Sequence, residues 1–254
     1  RDAWNAEMML ENLKRSASSS QAGISEALKG KTVVITAGPT RERIDDVRFL
    51  SNYSSGKMGF ALAEAAREAG ARVVLVSGPV AMNTPAGIER IDVESADEMY
   101  DAVMRFADTY DVAILSAAVA DFRPTAPVHG KIKKSSEAPV PHVELTQTRD
   151  ILATLGHRKS SQQVLVGFAL ESDNAIENGR KKMIAKQCDM IVVNSSARND
   201  SAIGSDMNCV TLLRRDLHDA VECPPASKHD CARLILAALA ALAAFTALPP
   251  SSSR

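Results

Sequence analysis

The sequence predicts an α/β fold in which a doubly wound, mostly parallel sheet carries helices on both faces. Three observations lead to this fold class. Short apolar runs rich in β-branched residues alternate along the chain with helix-length amphipathic segments. Glycine–proline pairs closely follow the first two of these runs, at Gly38 and Gly78. The chain has 254 residues, of which 45% are hydrophobic, and this is enough for the sizeable core that such a sheet needs.

The predicted elements follow one another in a regular order. Six apolar runs are predicted to be strands, at 32–36, 72–76, 90–93, 112–116, 164–168 and 190–193. Apolar periodicity predicts three helices, at 58–69, from 95 to about 108, and at about 174–187. The first helix ends at Gly70, and the second opens with a capping box that starts at Ser95. Strands joined by such helices pair in parallel, so the sheet is expected to be Rossmann-like and to bind ligands at the carboxyl ends of its strands.

Two segments stand outside this alternation. Residues 122–146 are rich in proline, lysine, serine and histidine and are predicted to form an extended flap. Residues 208–215 and 219–222 are predicted to form a small antiparallel hairpin, which could serve in dimerisation.

Composition also suggests the domain boundaries. Residues 1–30 are predicted to be an N-terminal extension or linker, with a short helix at 4–14 and a serine-rich stretch at 16–20. Residues 31–245 are predicted to form the nucleotide-binding domain, and residues 246–254 a C-terminal tail.

Charge and cysteine usage argue against several classes of protein. Thirty basic and 31 acidic residues give a net charge of -1, whereas nucleic-acid-binding domains carry a marked positive excess. The four cysteines form no C-x-x-C pair, which favours reduced thiols in a cytoplasmic protein over a zinc site or a disulfide framework. The apolar run at 234–248 is shorter than the ~20 residues that span a membrane, so it predicts a packing helix and no membrane partner.

Two loops in the first quarter of the chain are candidates for phosphate binding. The loop that starts at Gly38 lacks the G-x-G-x-x-G pattern, so it is either a plain tight turn or an unusual ligand loop. The segment SNYSSGKMG at 51–59 places small residues, a glycine and Lys57 directly before a predicted helix. The N–H groups at such a helix start favour phosphate, and the alternative is an ordinary serine cap with a surface lysine.

Two further segments could complete such a site. The small residues Ala117 and Ala118 follow the fourth predicted strand and would let a ligand approach the backbone. Asp121 comes shortly after them and could bind a ribose or a magnesium ion, or simply cap a turn. The run KIKK at 131–134 lies in the flap, where its lysines could neutralise phosphates or form a solvated surface.

The last candidates lie in the carboxyl-terminal half. Phe168 ends a predicted strand and could wall a base. Lys182 and Lys186 are four positions apart on a predicted helix, so they share a face as ligands or as a solvent-facing pair. The five histidines are scattered, and their spacing gives no Ser–His–Asp arrangement.

Seven short motifs together carry a resemblance to a known family. They are GPTRERIDDVRFLSNYSSGKMG at 38–59, SGPV at 77–80, AAVADFRP at 117–124, KIKK at 131–134, DIL at 150–152, VGFALE at 166–171 and DMIVVN at 189–194. In order and spacing they resemble the bacterial type of phosphopantothenoylcysteine synthetase, also called phosphopantothenate–cysteine ligase, as found in the bifunctional flavoprotein of coenzyme A biosynthesis. The resemblance covers roughly residues 31–215, and the pairing of SNYSSGKMG with AAVADF and KIKK is highly specific.

This resemblance implies a reaction in two steps. The carboxylate of phosphopantothenate first attacks the α-phosphate of a nucleoside triphosphate, which gives an acyl-nucleotide and pyrophosphate. The amine of cysteine then attacks the acyl carbon and releases the nucleoside monophosphate. The bacterial type implies CTP rather than ATP, together with Mg²⁺ held through the nucleotide phosphates.

The resemblance also implies roles for individual residues. Asn52 resembles the asparagine that contacts the acyl-nucleotide, and Lys131 resembles the flap lysine that meets the phosphates and the reacting acyl group. Both are therefore expected to be catalytic. The residues expected to bind the nucleotide or its phosphates are Gly38, Ser54, Ser55, Gly56, Lys57, Met58, Ala117, Ala118, Asp121, Phe168, Lys182 and Lys186.

Two positions depart from the family pattern, and two kinds of partner are implied. Asp46 stands where the family usually has proline, and Arg149 stands where proline often precedes DIL. Both positions are expected to be peripheral. The family implies a homodimer and a flavin-dependent decarboxylase, either fused to the synthetase or separate.

Two other functions are alternatives. An NAD(P)H- or flavin-binding oxidoreductase on the same fold would need a G-x-G-x-x-G turn and an acidic residue after the second strand, where Ser77 and Gly78 stand instead. A non-catalytic nucleotide-binding module is the other alternative, and the presence of both Asn52 and Lys131 argues against it.

Overall fold

The fold is known from a computed structural model that describes residues 22–133, 142–195 and 205–242. The predictions for residues 1–21 and for the tail at 246–254 lie outside these described residues.

The described chain alternates strands and helices. The strands are β1 (Thr32–Ala37), β2 (Arg41–Arg43), β3 (Phe49–Ser51), β4 (Arg72–Ser77), β5 (Glu89–Asp92), β6 (Val112–Leu115), β7 (Phe122–Pro124), β8 (Leu145–Gln147), β9 (Val164–Glu171), β10 (Met190–Ser195), β11 (Met207–Asn208), β12 (Val210–Arg214), β13 (Val221–Glu222) and β14 (Ala226–Ser227). The helices are α1 (22–28), α2 (Lys57–Glu68), α3 (Ala96–Met104), α4 (Ile151–Arg158), α5 (Ala175–Ala185) and α6 (Lys228–Ala240).

Eight strands form the central sheet, in the order β13-β12-β10-β9-β6-β1-β4-β5. The six strands from β10 to β5 pair in parallel, and β12 pairs antiparallel with both β10 and β13. Parallel strands are covered on both faces, which explains why β1 and β4 consist almost entirely of buried apolar residues. The predicted doubly wound, mostly parallel sheet is confirmed.

Two apolar cores flank this sheet, one on each face. Successive residues of β1 point to opposite faces, so Val33 and Ile35 belong to one core and Val34 to the other. The first core includes Leu62 of α2 and Leu236 of α6, and the second is covered by α3, α4 and α5.

The chain order reverses between β1 and β6. After β1 the chain continues outward through β4 and β5, and it then returns to place β6 on the other side of β1 before adding β9 and β10. Such a switch point opens a crevice outside the carboxyl ends of the two strands, which is where ligands bind in this architecture.

Three predicted elements differ in detail from the structure. Helix α3 ends at Met104 rather than near residue 108, because the N–H of Phe106 bonds to Val103 at 3.0 Å in a tight terminal turn. Helix α6 begins at Lys228, well before the apolar run at 234–248, since Ser227 caps it. The predicted hairpin is present as β12 and β13, but it extends the edge of the central sheet.

Two helices and two hairpins were not predicted, and one of the helices, α1, lies in the segment expected to be a linker. Helix α4 begins after Asp150, whose side chain accepts from the N–H of Ala153. Arg149, beside that cap, forms 2.7 Å ion pairs with Asp97 and Asp101 of α3. The hairpins are β2 with β3, and β7 with β8, which forms the described ends of the predicted flap. Flap residues 134–141 lie outside the described residues.

The four cysteines are all buried, and none forms a disulfide. Burial raises the pKa of Cys188 and of Cys223 to about 12, so these thiols stay protonated at neutral pH. Within the described residues, no helix is long and apolar enough to cross a membrane.

Candidate active site at the carboxyl ends of the central strands

Two loops at the switch point lie side by side, and we call residues 38–40 and 116–121 the site floor. Pro39 pairs with Ala118 in a parallel bridge. The N–H of Ala118 donates to the carbonyl of Gly38 at 2.9 Å, and the N–H of Thr40 donates to the carbonyl of Ala118 at 3.3 Å. The floor therefore continues the pairing of β1 with β6 beyond the ends of the strands.

Buried threonine hydroxyls fix the shape of this floor. Oγ1 of Thr36 accepts from the N–H of Ala117 at 3.1 Å, and Oγ1 of Thr40 accepts from the N–H of Ala120 at 3.0 Å. The two threonines are 1% and 0% exposed, so water does not compete for these bonds. These bonds of the two hydroxyls were not predicted, although a hydroxyl at the end of a buried strand is a signal for backbone capping.

The start of α2 packs against the floor because two predicted glycines leave room for it. Gly38 and Gly56 have φ values of +77° and +78°, which side chains with a Cβ rarely adopt. A Cβ on either glycine would lie 2.9 Å from Cγ1 of Val80. A Cβ on Gly56 would also lie 3.4 Å from Cα of Gly38, so the two predicted loops meet at these glycines.

The start of α2 has the geometry of a phosphate-binding site. Gly56 caps the helix without a side-chain hydrogen bond, and the first turn carries no acidic residue. The first N–H groups of an α-helix have no partner within the helix, and this end of the helix is electropositive. Ser54 and Ser55 lie directly before the cap, where Ser54 Oγ accepts from the N–H of Gly56 at 3.3 Å. The alternative of an ordinary serine cap is wrong, because the capping residue is Gly56.

The first two residues of α2 contact the segment around β11. Nζ of Lys57 lies 2.6 Å from Oδ1 of Asp206, and Nδ2 of Asn208 lies 3.8 Å from Sδ of Met58. The hydrogen bond from Lys57 lowers the pKa of Asp206. A phosphate at this helix start would therefore compete with Asp206 for the ammonium of Lys57.

The side chain of Asn52 lies over the floor. Its Nδ2 donates to the carbonyl of Ala118 at 3.0 Å. The preceding residue, Ser51, donates from Oγ to the carbonyl of Thr40 at 2.7 Å. The amide predicted to be catalytic is therefore held at the switch point itself.

A charged pair holds the flap next to Lys131, and we call residues 128–133 the flap base. The N–H of Ile132 donates to Oδ2 of Asp45 at 3.0 Å, and Nη2 of Arg48 donates to the carbonyl of Ile132 at 3.0 Å. Hydrogen bonding from Arg48 holds the pKa of Asp45 far below its usual range. Lys131 is exposed, and Lys134 lies outside the described residues. The roles of Asp45 and Arg48 were not predicted from the sequence.

The predicted lysines of α5 bond to neighbouring parts of the protein. Nζ of Lys182 donates to the carbonyl of Phe168 at 2.9 Å, and Nζ of Lys186 lies 2.5 Å from Oδ2 of Asp150. Burial alone would raise the pKa of Asp150, but the hydrogen bonds from Ala153 and Lys186 outweigh burial and lower it. The two lysines thus form a second cluster, next to β9 and the start of α4.

Thr148 joins this second cluster to the floor. Its Oγ1 donates to the carbonyl of Ala120 at 2.6 Å, and its N–H donates to the carbonyl of Asp121 at 3.0 Å. Since Thr148 lies two residues before Asp150, the segment 148–150 connects the floor to the second cluster. In the described part of the chain, no group of three or more His, Cys, Asp or Glu side chains could hold a metal ion.

One cavity lies away from these residues. It has a volume of about 520 Å³ and lies between the start of α5 and the sheet edge, lined by Asn174, Glu177, Val193, Thr211 and Glu222 among others. Among the candidate residues, Asn52, Asp121 and Lys131 are exposed, whereas Gly38 and Gly56 are buried. The ends of the strands and the hydrogen bonds between the loops that follow them, rather than this cavity, identify the candidate site.

Comparison with known proteins decides the family. The model of the DNA/pantothenate metabolism flavoprotein C-terminal domain matches residues 28–242. The chain belongs to this family. The match extends over the floor, the start of α2, the flap base and both lysines of α5, and it confirms the resemblance carried by the sequence motifs.

Individual relatives of this flavoprotein C-terminal domain agree with the family. The coenzyme A biosynthesis bifunctional protein CoaBC of Bacillus subtilis (strain 168) is 48% identical over 223 residues, which is 87% of this chain and 54% of the relative. A cysteine/cysteine sulfinic acid decarboxylase from an unknown prokaryotic organism is 48% identical over 187 residues, which is 73% of this chain and 52% of the relative. The chain spans about half the length of these curated relatives.

A solved structure agrees with the fold. The crystal structure of the C-terminal domain of the coenzyme A biosynthesis bifunctional protein CoaBC is 44% identical, with a TM-score of 0.71. The likeness covers 84% of this chain and 96% of that chain. The Rossmann-like fold of the family is therefore present here from β1 onward.

Proposed function

We propose that this domain is a phosphopantothenate–cysteine ligase of coenzyme A biosynthesis that uses CTP. The observation that carries the proposal is the position of Asn52. Its amide donates to the carbonyl of Ala118 over the switch point, and it lies four positions before Gly56, which caps α2 without a side-chain hydrogen bond. An oriented amide beside a phosphate-binding helix start is suited to holding an acyl-nucleotide. The name of the B. subtilis relative supports the same pathway.

In the first step, phosphopantothenate is activated. An oxygen of its carboxylate forms a bond to the α-phosphorus of CTP, and pyrophosphate leaves with the electrons of the broken P–O bond. The phosphates bind at residues 54–58, where backbone N–H groups donate to the phosphate oxygens and the ammonium of Lys57 neutralises part of their negative charge. The small residues Gly38 and Ala117 allow close approach, and Lys131 neutralises the charge that builds up during attack.

In the second step, the amine of cysteine forms a bond to the acyl carbon. CMP leaves with the electrons of the broken acyl C–O bond, and the amine proton passes to solvent. Asn52 orients the acyl-cytidylate for this attack. The step depends on placement of the two reactants more than on a strong base, which fits a site whose central side chain is a neutral amide.

Nucleotide and metal are proposed to bind together. Phe168, Lys182 and Lys186 contact the nucleotide. When the nucleotide binds, the ammonium of Lys186 leaves the carboxylate of Asp150 and pairs with the nucleotide instead. Because no cluster of metal-ligating side chains is present among the described residues, Mg²⁺ fits here as an ion carried by the nucleotide phosphates, with the exposed carboxylate of Asp121 nearby. When bound, Mg²⁺ supplies neutralisation of phosphate charge.

Two protein partners are proposed. Apolar side chains are exposed on the β2–β3 and β7–β8 hairpins and on the residues after them, and Tyr53 among these is 90% exposed. A second copy of the chain would cover these side chains. The word "bifunctional" in the name of the B. subtilis relative supports a flavin-dependent decarboxylase as the other partner, fused or separate. The cytoplasm is the proposed location, because it keeps thiols reduced.

Pyrophosphate release tests this function. Purified protein is incubated with Mg²⁺, phosphopantothenate and cysteine, and CTP is compared with ATP. Release with CTP alone supports the full proposal, whereas release with ATP keeps the ligase and corrects the nucleotide. No release with either contradicts the ligase and favours a nucleotide-binding module. Carbon dioxide release from cysteine without nucleotide would instead favour the decarboxylase activity named for the second relative.

A further inference from the structure

Asp46, which stands where the resembled family usually has proline, contacts the flap base. Its Oδ2 accepts from the N–H of Gly130 at 2.5 Å. Its Oδ1 lies 2.5 Å from Nη2 of Arg43, which in turn lies 3.2 Å from Nδ1 of His129. The carboxylate of Asp46 therefore accepts from the N–H of Gly130, the residue directly before Lys131.

Lys131 thus lies between two held peptides. On one side, the N–H of Gly130 bonds to Asp46, and on the other, the N–H of Ile132 bonds to Asp45. Two adjacent carboxylates accept from the N–H groups that flank this lysine. The backbone at Lys131 is restrained from both sides, while its side chain remains exposed.

The two aspartates differ in burial and in the number of backbone N–H groups of their own turn that they bind. Asp45 is buried and also accepts from the N–H groups of Val47 and Arg48, so it shapes the turn to which it belongs. The side chain of Asp46 is 47% exposed, and its carboxylate bonds outward to Gly130. Replacing Asp46 should therefore release the flap base without unfolding the turn that Asp45 organises.

We propose that Asp46 is a positioning residue for Lys131. By holding the N–H of Gly130, it restricts the directions from which the ammonium of Lys131 approaches the nucleotide phosphates. Gly130 has a φ of +77°, and glycine adopts positive and negative φ values about equally readily. The bond to Asp46 therefore restrains a residue whose backbone could otherwise adopt other conformations. The proposal builds on the proposed ligase function, since it gives Lys131 a part in that reaction.

Three variants of the whole chain test this proposal against the wild type. Asp46→Ala removes the acceptor, whereas Asp46→Asn keeps an oxygen that can accept from Gly130. Asp108→Ala is the matched control, because Asp108 is also an exposed aspartate paired with an arginine, Arg158, at 3.1 Å. Each protein is measured for amide hydrogen exchange in peptides covering 128–133, for the rate of tryptic cleavage after Lys131, and for kcat and KM of pyrophosphate release.

In Asp46→Ala we expect exchange and cleavage in the flap base to rise about tenfold, since a charge-assisted hydrogen bond is lost. We expect kcat to fall about fivefold and KM to change less than about twofold, because misplacement affects reaction more than binding. Asp46→Asn should lie nearer the wild type, and Asp108→Ala should match it.

Two results would overturn the proposal. Unchanged exchange in Asp46→Ala would show that Asp46 does not hold Gly130. Raised exchange with an unchanged kcat would show that the hold does not position Lys131. If the wild type itself releases no pyrophosphate, the ligase function and the positioning role both fail, and the exchange measurement still decides whether Asp46 holds the flap base.

Discussion

The site floor and the flap base place their functional residues by different physical means. In the floor, backbone pairing and the buried hydroxyl of Thr40 fix the loop that carries Ala118. In the flap base, the N–H of Gly130 donates to the half-exposed carboxylate of Asp46, and the N–H of Ile132 donates to the buried carboxylate of Asp45. The proposed site of bond formation is therefore built into the sheet, while the segment that carries the proposed phosphate lysine depends in part on an ion pair at the surface, that of Asp46 with Arg43.

This difference predicts which part is rigid and which part can be adjusted. Losing a buried acceptor costs about 1–3 kcal/mol, because the buried donor that remains is unsatisfied. An exposed ion pair contributes only about 0–1 kcal/mol and is screened by salt. The floor should therefore set where the intermediate lies, whereas the flap base should tune how fast it forms.

The largest effect is expected from a change at Asn52, whose side chain bonds to the floor. Asn52→Asp replaces the amide donor by a carboxylate that cannot donate to Ala118 and that repels the phosphate of an acyl-nucleotide. We expect acyl-cytidylate formation to continue and final product to fall about 1,000-fold, at the upper end for loss of an oriented donor. Radiolabelled CTP with rapid quenching separates the two steps. Asn83→Asp, at an exposed loop residue, is the control. Normal product from Asn52→Asp would remove Asn52 from the mechanism.

A somewhat smaller effect is expected at the flap base. Lys131→Gln keeps a polar side chain, one atom shorter, but removes its charge, which should cost about 3 kcal/mol of transition-state stabilisation, or about 100-fold in rate. The loss should affect the first step, so the burst of pyrophosphate should slow while stability is unchanged. Lys29→Gln, at an exposed lysine near β1, is the control. Turnover close to that of the wild type would show that Lys131 is only a solvated surface lysine.

Thr40→Val tests the rigidity of the floor through stability. The substitution conserves size but leaves the N–H of Ala120 buried without its acceptor, so the free energy of unfolding should fall by about 2 kcal/mol. Urea unfolding followed by circular dichroism measures this change. Thr109→Val is the control, because the hydroxyl of Thr109 is exposed and makes only a 3.4 Å bond to Phe106. Equal stability of the two variants would mean that the floor does not depend on buried hydroxyls.

Much of the fold was predictable because its signals are local. The parallel strands β1, β4, β9 and β10 are continuous apolar runs, and α2 combines a clear period with a terminal Gly70. Helix α4 was missed because it is short and follows no long periodic segment. The hairpins β2–β3 and β7–β8 were missed because pairing between separate segments, rather than composition, forms their strands.

In the candidate site, too, the residues with local sequence signals could be predicted, and those that depend on long-range hydrogen bonds could not. Gly56 and Asn52 could be predicted, because a glycine before a helix and a specific motif are visible along the chain. The bond between Asp45 and Ile132 joins residues 87 positions apart, so no local pattern announces it. The same holds for Thr40 and Ala120, which are 80 positions apart. Sequence thus identified groups proposed to touch substrate more readily than the groups that hold them.

The smallest predicted effect comes from salt, and it separates floor from flap base without any substitution. Raising NaCl from 0.05 M to 1 M shortens the Debye length from above 10 Å to about 3 Å, which should weaken the exposed pair of Asp46 and Arg43. Amide exchange at 128–133 should then rise about twofold to threefold. Exchange at 116–121 should stay constant, because its bonds are buried and uncharged. Rates are corrected with an unstructured peptide, and an equal rise in both segments would mean that surface charge does not distinguish them.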